Sequence, residues 1–377
     1  MVHRHRRDLT TFVVLLLMAA IVTSCGASSS AAPTANEGAS ASSASNTPTE
    51  AAGTSPAASV AGATSASDGA GWPEKFVVGF FGGDDAEKVL RDNEPLRVYL
   101  EEQLGIPVEY FTGTSYTAVI EAMRADRVDA MEVGPFAYTL AVQEAKAEAI
   151  AVSTSESGDK PGYDPNIPAH YYSTIITKKG SNIASFDDLK GVDFTFVDPA
   201  STSGHLAPKT LLVKNGINPD TDMKTVFAGS HPTSVLAVWN GNADAGATFE
   251  GNLYRLQKEG QIDFCNFEDR QIGKKRTAEE IKERYESCPE GSIAIIAMSD
   301  EIPNTPFAVR SELPDSFKTT VKDVLLSVKD QPELVAGLGQ WYVDPHEEMG
   351  LETLDQYYNS LRDIAKLLNL DLKELGG

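Results

Sequence analysis

The chain has 377 residues and a formal net charge of −22, with 32 Lys and Arg against 54 Asp and Glu. So acidic a balance argues against nucleic acid as a partner, and it governs solubility and encounter rate more than the chemistry of any one buried site. The globular sequence begins near Trp72, and roughly 300 residues are too many for one compact core in most folds, so two lobes are expected.

Residues 1–24 read as a secretory signal: "HRHRR" is a basic start, "FVVLLLMAAIV" an apolar run, and "VTS" places small residues before Cys25. "VTSC" resembles the lipobox of bacterial lipoproteins, and that resemblance implies that Cys25 carries lipid. The alternatives are an ordinary cleavage site or a short membrane anchor, although the apolar run is short for a span. Residues 25–71 are almost all Ala, Ser, Thr, Gly and Pro, without aromatics or apolar period, and read as a disordered tether. A flexible coil of that length reaches roughly 35–40 Å.

From Lys75, strand and helix alternate. "KFVVGFF" is a strand, and "DAEKVLRDNEPLRVYLEEQLG" has helical spacing with a kink or break expected at Pro95. "IPVEYF" is a strand, "TSYTAVIEAMRADR" a helix with a hydroxyl-rich start, "VDAMEVG" a strand, "FAYTLAVQEAKA" a helix and "AEAIAVST" a strand. "YYSTIITKKG" and "VDFTFVD" are strands around a short helix, "SFDDLKG". A helix over "TSGHLAPKTLLVKNG" follows, then "HPTSVLAVWNG" (helix), "ADAGATFE" (strand), "NLYRLQKEG" (helix) and "SIAIIAMS" (strand). From "LPDSFKTTVKDVLLSV" onward the tail is expected to be mostly helical and to fold back on the first lobe. Such βα repetition predicts an α/β body of two mainly parallel sheets flanked by helices. Lobe 1 is expected over 72–176 plus 300–377 and lobe 2 over 177–299, with the ligand site at strand C-termini between them.

Cys265 and Cys288 bracket a charged stretch. In an exported protein such a pair reads first as a disulfide, with two free thiols as the alternative. A metal site is disfavoured, because two thiolates without a nearby His do not complete a tetrahedral zinc site. No H-E-x-x-H, Cys-x-x-Cys or Walker lysine loop occurs, so neither metal nor nucleotide cofactor is expected.

The stretch "FVDPASTSGHLAP" poses the functional question. Ser201, Thr202 and Ser203 follow a strand as a nucleophile would, but no G-x-S-x-G surrounds them, and nothing selects a partner among His170, His205, His231 and His346. A plain helix cap is the second reading. The third is an anion cradle, since the first N–H groups of a helix lack intrahelical acceptors, the dipole end is positive and hydroxyls there can donate. Thr114, Ser115 and Tyr116 repeat the theme at another strand-to-helix junction, and Ser230 with His231 at a third. Three such junctions suit a tetrahedral oxyanion.

"YTAVIEAMRADRVDAMEVGPFAY", "DLKG…VDPASTSG" and "GSHPTSVLAVWNGNADAGATFEGNL" resemble the phosphonate-binding branch of periplasmic solute-binding proteins, over most of Lys75 to about Val328. The resemblance implies a type II, Venus-flytrap clamp without cofactor or metal. Such a monomer would capture phosphonate, phosphite or phosphate for an ABC permease, at the membrane through the lipid on Cys25. It implies ligand contacts from Tyr116, a Tyr of the "YYS" strand assigned to Tyr172, Ser201, Thr202, Ser203 and His231. Glu250 and Asp300 fall near positions whose acids hold the amine in members taking aminoalkyl phosphonates. The competing class is an enzyme on the same clamp acting on a phosphorylated or pyrimidine-like metabolite, for which His231 with Glu250 is the candidate proton-transfer pair.

Overall fold

The computed structural model describes residues 71–370 except 84, 156–163, 165–168 and 270–272. The expected signal, the lipid-bearing Cys25 and the tether up to residue 70 lie outside these. Among the described residues no helix is long and apolar enough to cross a membrane.

The first half builds βα units in the expected order. They are β1 (Phe76–Phe81), α1 (Ala86–Leu104), β2 (Val108–Gly113), α2 (Tyr116–Arg124), β3 (Ala130–Glu132), α3 (Pro135–Glu144) and β4 (Ala147–Ser155). Helix α1 starts on Asp85, whose carboxylate accepts from Lys88 N, and stops at Gly105 in the left-handed region, φ 69°. It continues through Pro95 without ending there, held by the buried stripe Leu96, Leu100 and Leu104. Tertiary packing thus overrides the break expected from proline.

The chain then crosses through β5 (His170–Tyr171) into β6 (Ser173–Lys178), β7 (Asp193–Phe196), α4 (Ala207–Lys214), α5 (Pro219–Asp222) and β8 (Lys224–Phe227). Next come α6 (His231–Trp239), β9 (Ala245–Phe249), α7 (Glu250–Lys258), α8 (Ala278–Ser287) and β10 (Ile293–Met298). It returns through β11 (Ile302–Pro303) to β12 (Pro306–Arg310), α9 (Asp315–Ser327), α10 (Pro332–Leu338), β13 (Gln340–Val343) and α11 (Asn359–Leu367).

The first sheet has the order β13-β4-β12-β3-β1-β2 and the second β10-β6-β9-β7-β8. Both are mixed rather than mainly parallel. Pairings β2–β1–β3 and β9–β7–β8 are parallel, as βα crossovers require, whereas β12 and β13 pair antiparallel with β4, and β6 with β9 and β10. The second sheet starts at Ser173, a few residues before the boundary expected at 177.

Alternation along β1 fixes two core layers on the first sheet. Phe76, Val78 and Phe80 pack with Leu96, Phe317 and Val321 on one face, and Val77 and Phe81 with Val119, Ile120 and Phe136 on the other. The second sheet is covered likewise, with Phe194, Phe196 and Leu212 on one face and Ile176, Val235 and Leu253 on the other. Cys265 and Cys288 form a disulfide.

The two connections between the sheets run antiparallel side by side, Tyr171 opposite Ile302 and His170 opposite Pro303. Ser299 Oγ accepts from Ser173 N (2.9 Å) and Ser299 N donates to Ser173 O (2.9 Å), which ties them at the edge of the second sheet.

Candidate functional site

Strand ends from both sheets open on one cleft of about 670 Å³. Tyr116, Tyr172, Ser201, Thr202, Ser203, His231 and Glu250 all line it; Asp300 does not.

The turn after β7 carries the hydroxyl cluster, and it is not the plain helix expected. Residues Thr202–Leu206 form one wide π turn, in which Leu206 N donates to Ser201 O (3.0 Å) and Ala207 N to Thr202 O, before α4 begins. Such turns recur at functional sites. Ser201 Oγ accepts from Gly204 N (3.0 Å), so the cap reading holds for that residue as well. Ser201, Thr202 and Ser203 are buried.

Two contacts tie this turn to the first sheet's helices. Thr202 Oγ1 accepts from Phe136 N at 2.7 Å, in the first turn of α3. The Asp198 carboxylate takes the amides of Ala200 (2.8 Å) and of Tyr116, at the head of α2. Burial still raises its pKa above the usual aspartate range. The amides heading α2 and α3 are therefore engaged by the protein's own oxygens. What the Tyr116 junction offers the cleft is its phenol, stacked on Phe81 at 4.2 Å and beside the Ser201 hydroxyl. Burial, with Tyr171 and Asp198 nearby, holds that phenol far above its ordinary pKa, so it is a neutral donor.

His231 opens α6 behind Ser230, whose Oγ accepts from Thr233 N (3.2 Å). A relay fixes its imidazole. Arg255 donates to Asn252 Oδ1 (2.7 Å), Asn252 Nδ2 donates to Thr248 Oγ1 (3.1 Å), and the Thr248 hydroxyl lies 3.2 Å from His231 Nδ1. A Thr248 hydroxyl that donates to Nδ1 leaves Nε2–H as the donor towards the cleft. Burial and then Arg255 push the imidazole down to about 3, so it is neutral at ordinary pH.

Of the adjacent tyrosines, Tyr171 has its hydroxyl beside Ser203 and Thr202, while burial lifts its pKa to about 12. The Tyr172 hydroxyl is instead 3.4 Å from His170 Nε2, and its ring lies beneath the Lys275 ammonium at 5.5 Å. Both line the cleft, but Tyr171 is the one that joins the Ser–Thr cluster; the sequence reading named only its neighbour. Adjacent strand residues face opposite ways, and only the pairing with β11 decides which is which.

Glu250, the first residue of α7, is 2 % exposed, and neither carboxylate oxygen has a partner of good hydrogen-bond geometry. The Gly273 amide and Arg276 lie near enough to favour its charge, but burial dominates and pushes it up to about 7. Asp300 corrects the expectation: its carboxylate pairs with Lys214 at 2.8 Å and its side chain is 76 % exposed, outside the cleft. Lys214 lies on α4, too distant in sequence for local reading to connect the two.

The protonation of Glu250 carries a sign. A folded pKa raised from 4.5 favours the folded state below that value, and this contribution is lost as pH rises through 7. Glu250→Gln removes the loss. In urea unfolding of ligand-free protein, the variant should exceed wild type at pH 8 by about 2–3 kcal/mol and differ far less at pH 5. Equal stability of both proteins at both pH values refutes a strained Glu250.

Among the described residues, neither His205 nor His231 forms a relay with the Ser–Thr cluster. His205 Nδ1 is bonded to Pro199 O (2.8 Å), and its ring is enclosed by Phe196 and Phe227. His231 and Glu250 are not hydrogen-bonded to each other, since both Glu250 oxygens are without partners.

Two helix-flanked sheets joined by paired crossings, with a cleft of hydroxyl donors between them, define a type II periplasmic binding fold. The profile of the family described as "ABC transporter, phosphonate, periplasmic substrate-binding protein" matches residues 78–352, and the chain belongs to that family. It is 33 % identical over 188 residues to the phosphate-import protein PhnD of Mycolicibacterium smegmatis, covering 48 % of this chain and 56 % of that protein. It is 30 % identical over 239 residues to the phosphonates-binding periplasmic protein of Escherichia coli, covering 62 % of this chain and 60 % of that protein. The chain thus spans little more than half the length of these curated relatives. The solved structure of PhnD1 from Prochlorococcus marinus in complex with methylphosphonate superposes with a TM-score of 0.59 at 17 % identity, covering 79 % of this chain and 100 % of that one.

Proposed function

We propose that this chain is the solute-binding component of an ABC importer, capturing a phosphorus oxyanion (phosphonate, phosphite or phosphate) in the cleft and delivering it to a membrane permease. The observation that carries this is the convergence of the buried Tyr116, Ser201, Thr202, Ser203 and His231 donors and the half-buried Tyr171 in one cleft. All are neutral donors, and in a dry cleft such donors to a charged oxygen contribute about 1.5–3 kcal/mol each. The charge of −22 does not oppose this, because the anion meets local dipoles rather than the distant carboxylates. Capture proceeds without turnover, no cofactor takes part, and a single copy suffices, held at the membrane by lipid on Cys25.

The lobes move as two bodies about the β5/β11 crossing, lobe 1 comprising the first sheet with the C-terminal helices and lobe 2 the second sheet. Thr202 to Phe136 and Asp198 to Tyr116 are then contacts of the closed form, as is Lys88 with Glu259 at 3.8 Å across the mouth. A thermal-unfolding panel with methylphosphonate, 2-aminoethylphosphonate, phosphite and phosphate, with sulfate as control, tests the reading. A ligand present at a hundred times its Kd stabilises by about 2.7 kcal/mol. At least one phosphorus anion should raise the midpoint by several degrees in wild type and not in His231→Ala; a flat panel overturns the assignment.

A further inference from the structure

His231 stays neutral at ordinary pH, because burial and then Arg255 push its imidazole down to about 3. Its value to an anion therefore depends on which ring nitrogen carries the proton. A neutral imidazole donates from one nitrogen and accepts at the other. The Nε2–H form donates to a negatively charged oxygen in the cleft; the Nδ1–H form turns a lone pair on it. The choice between them is set by the hydrogen bond that the other nitrogen makes.

Asn252 and Arg255 follow one another on α7, and both line the cleft. A guanidinium can only donate, so the Asn252 carbonyl that meets Arg255 at 2.7 Å accepts from it. That leaves the Asn252 amide nitrogen for Thr248 Oγ1, at 3.1 Å. Asn252 is 1 % exposed and Thr248 is fully buried. Among the described residues, the Thr248 hydroxyl has one further partner, His231 Nδ1 at 3.2 Å. Were Nδ1 protonated, two N–H groups would point at one oxygen, and the hydroxyl proton would be buried without an acceptor, which folded interiors avoid. With Nδ1 bare, every group is satisfied, and the donors run in one direction from Arg255 through Asn252 and Thr248 to His231. Each bond in such a series polarises the next. The series starts from a cation whose side chain is 38 % exposed and whose other side meets Glu259 at 3.4 Å. The cleft thus gains part of a guanidinium's pull on an anion without burying the charge.

We propose that Asn252 is a positioning residue for anion capture: oriented by Arg255, it directs the Thr248 hydroxyl onto His231 Nδ1 and so holds the imidazole in the Nε2–H form that donates to the ligand. This deepens the phosphorus-oxyanion reading above and rests on it. Thr248, Asn252 and Arg255 are spaced four and then three residues apart across the start of α7, so one stretch of helix arranges the whole support. Asn252→Asp inverts the arrangement. Its carboxylate still accepts from Arg255 but has no N–H for Thr248, whose proton then turns to it and whose oxygen accepts from Nδ1–H.

Nitrogen-15 NMR of the full chain labelled in histidine, with the His231 signals assigned by their absence in His231→Gln, tests this beside calorimetry with methylphosphonate, phosphite and phosphate. Wild type at pH 7 should show a protonated Nε2 and a bare Nδ1. Asn252→Asp should shift the ring toward Nδ1–H and weaken the tightest-bound anion tenfold or more. Asn252→Leu adds no charge; it should give mixed tautomers and lose several-fold, which separates the place of the proton from repulsion by a new carboxylate. Thr248→Ser, which keeps the hydroxyl, should bind at least tenfold better than Thr248→Val, and the serine variant alone should keep Nε2–H. Where an Asn252 variant fails to fold, the wild-type spectrum and the Thr248 pair still decide. Weakened binding with an unmoved tautomer marks a direct or structural contact and overturns the proposal, as does unchanged binding. Wild type that binds an anion with Nδ1 protonated overturns this proposal alone. Wild type that binds none of the three removes the oxyanion reading with it.

Discussion

Thr202→Val is expected to weaken phosphorus-oxyanion binding by roughly 10²- to 10⁴-fold, and Thr202→Ser by less than about tenfold. The reasoning starts from the two roles of one oxygen. Thr202 Oγ1 already accepts from Phe136 N at 2.7 Å, so its own proton is left to donate to an anion in the cleft that it lines. Valine matches the shape but abolishes both bonds. Losing a donor to a charged oxygen costs about 1.5–3 kcal/mol, and leaving the Phe136 amide buried and unpaired adds about 1–3 kcal/mol in the closed form. Each 1.4 kcal/mol is tenfold. Serine keeps the hydroxyl and loses only a methyl. Calorimetry on the three proteins, with thermal midpoints as folding controls, decides it. Valine within tenfold of wild type would show that Thr202 neither donates to the ligand nor couples the lobes.

Much of this arrangement was legible locally. The βα units from Phe76 to Glu144 announce themselves by β-branched and aromatic runs followed by capped helices, and the hydroxyl-rich junctions at Ser115, Ser201 and Ser230 are each real caps. What stayed hidden depends on distant sequence. β12 begins with a proline and β13 is a four-residue strand amid helices, and both exist because they pair with β4 from more than 150 residues away. They are also what turns the first sheet from parallel to mixed. The same holds for the site. Asp300 was placed near the cleft by the family resemblance, and Lys214, the partner that holds it elsewhere, lies 86 residues upstream and is invisible to a local window. Glu132 on the cleft wall likewise finds its hydrogen-bond partners, Tyr342 and Gln340, more than 200 residues later. The resemblance pointed to Tyr172, and alternation along the strand says only that Tyr171 and Tyr172 differ, not which of them joins the Ser–Thr cluster.

Gly204→Ala is expected to destabilise the protein by about 3 kcal/mol or more and to reduce anion binding with it. A Cβ at this position would sit 2.3 Å from Val197 Cβ, 2.4 Å from Val197 Cγ2 and 2.8 Å from Ser201 Oγ. Carbon atoms ordinarily approach to about 3.5–4.0 Å, so the overlap exceeds what small adjustments absorb. Val197 cannot swing away: it is fully buried, and its amide donates to Gly204 O at 3.0 Å. Relief must come from the turn itself, which means breaking the Gly204 N to Ser201 Oγ bond or widening the π turn. Overpacking a close-packed interior costs about 1–3 kcal/mol, and this contact belongs at the top of that range. The displaced residues are Ser201, Thr202 and Ser203, so the variant should lose affinity even at temperatures where it remains folded. Thermal unfolding and calorimetry on the same preparation separate the two effects. A variant melting within a degree of wild type and binding equally well would mean that the turn has no need of glycine, and that its hydroxyls are not held where the anion requires them.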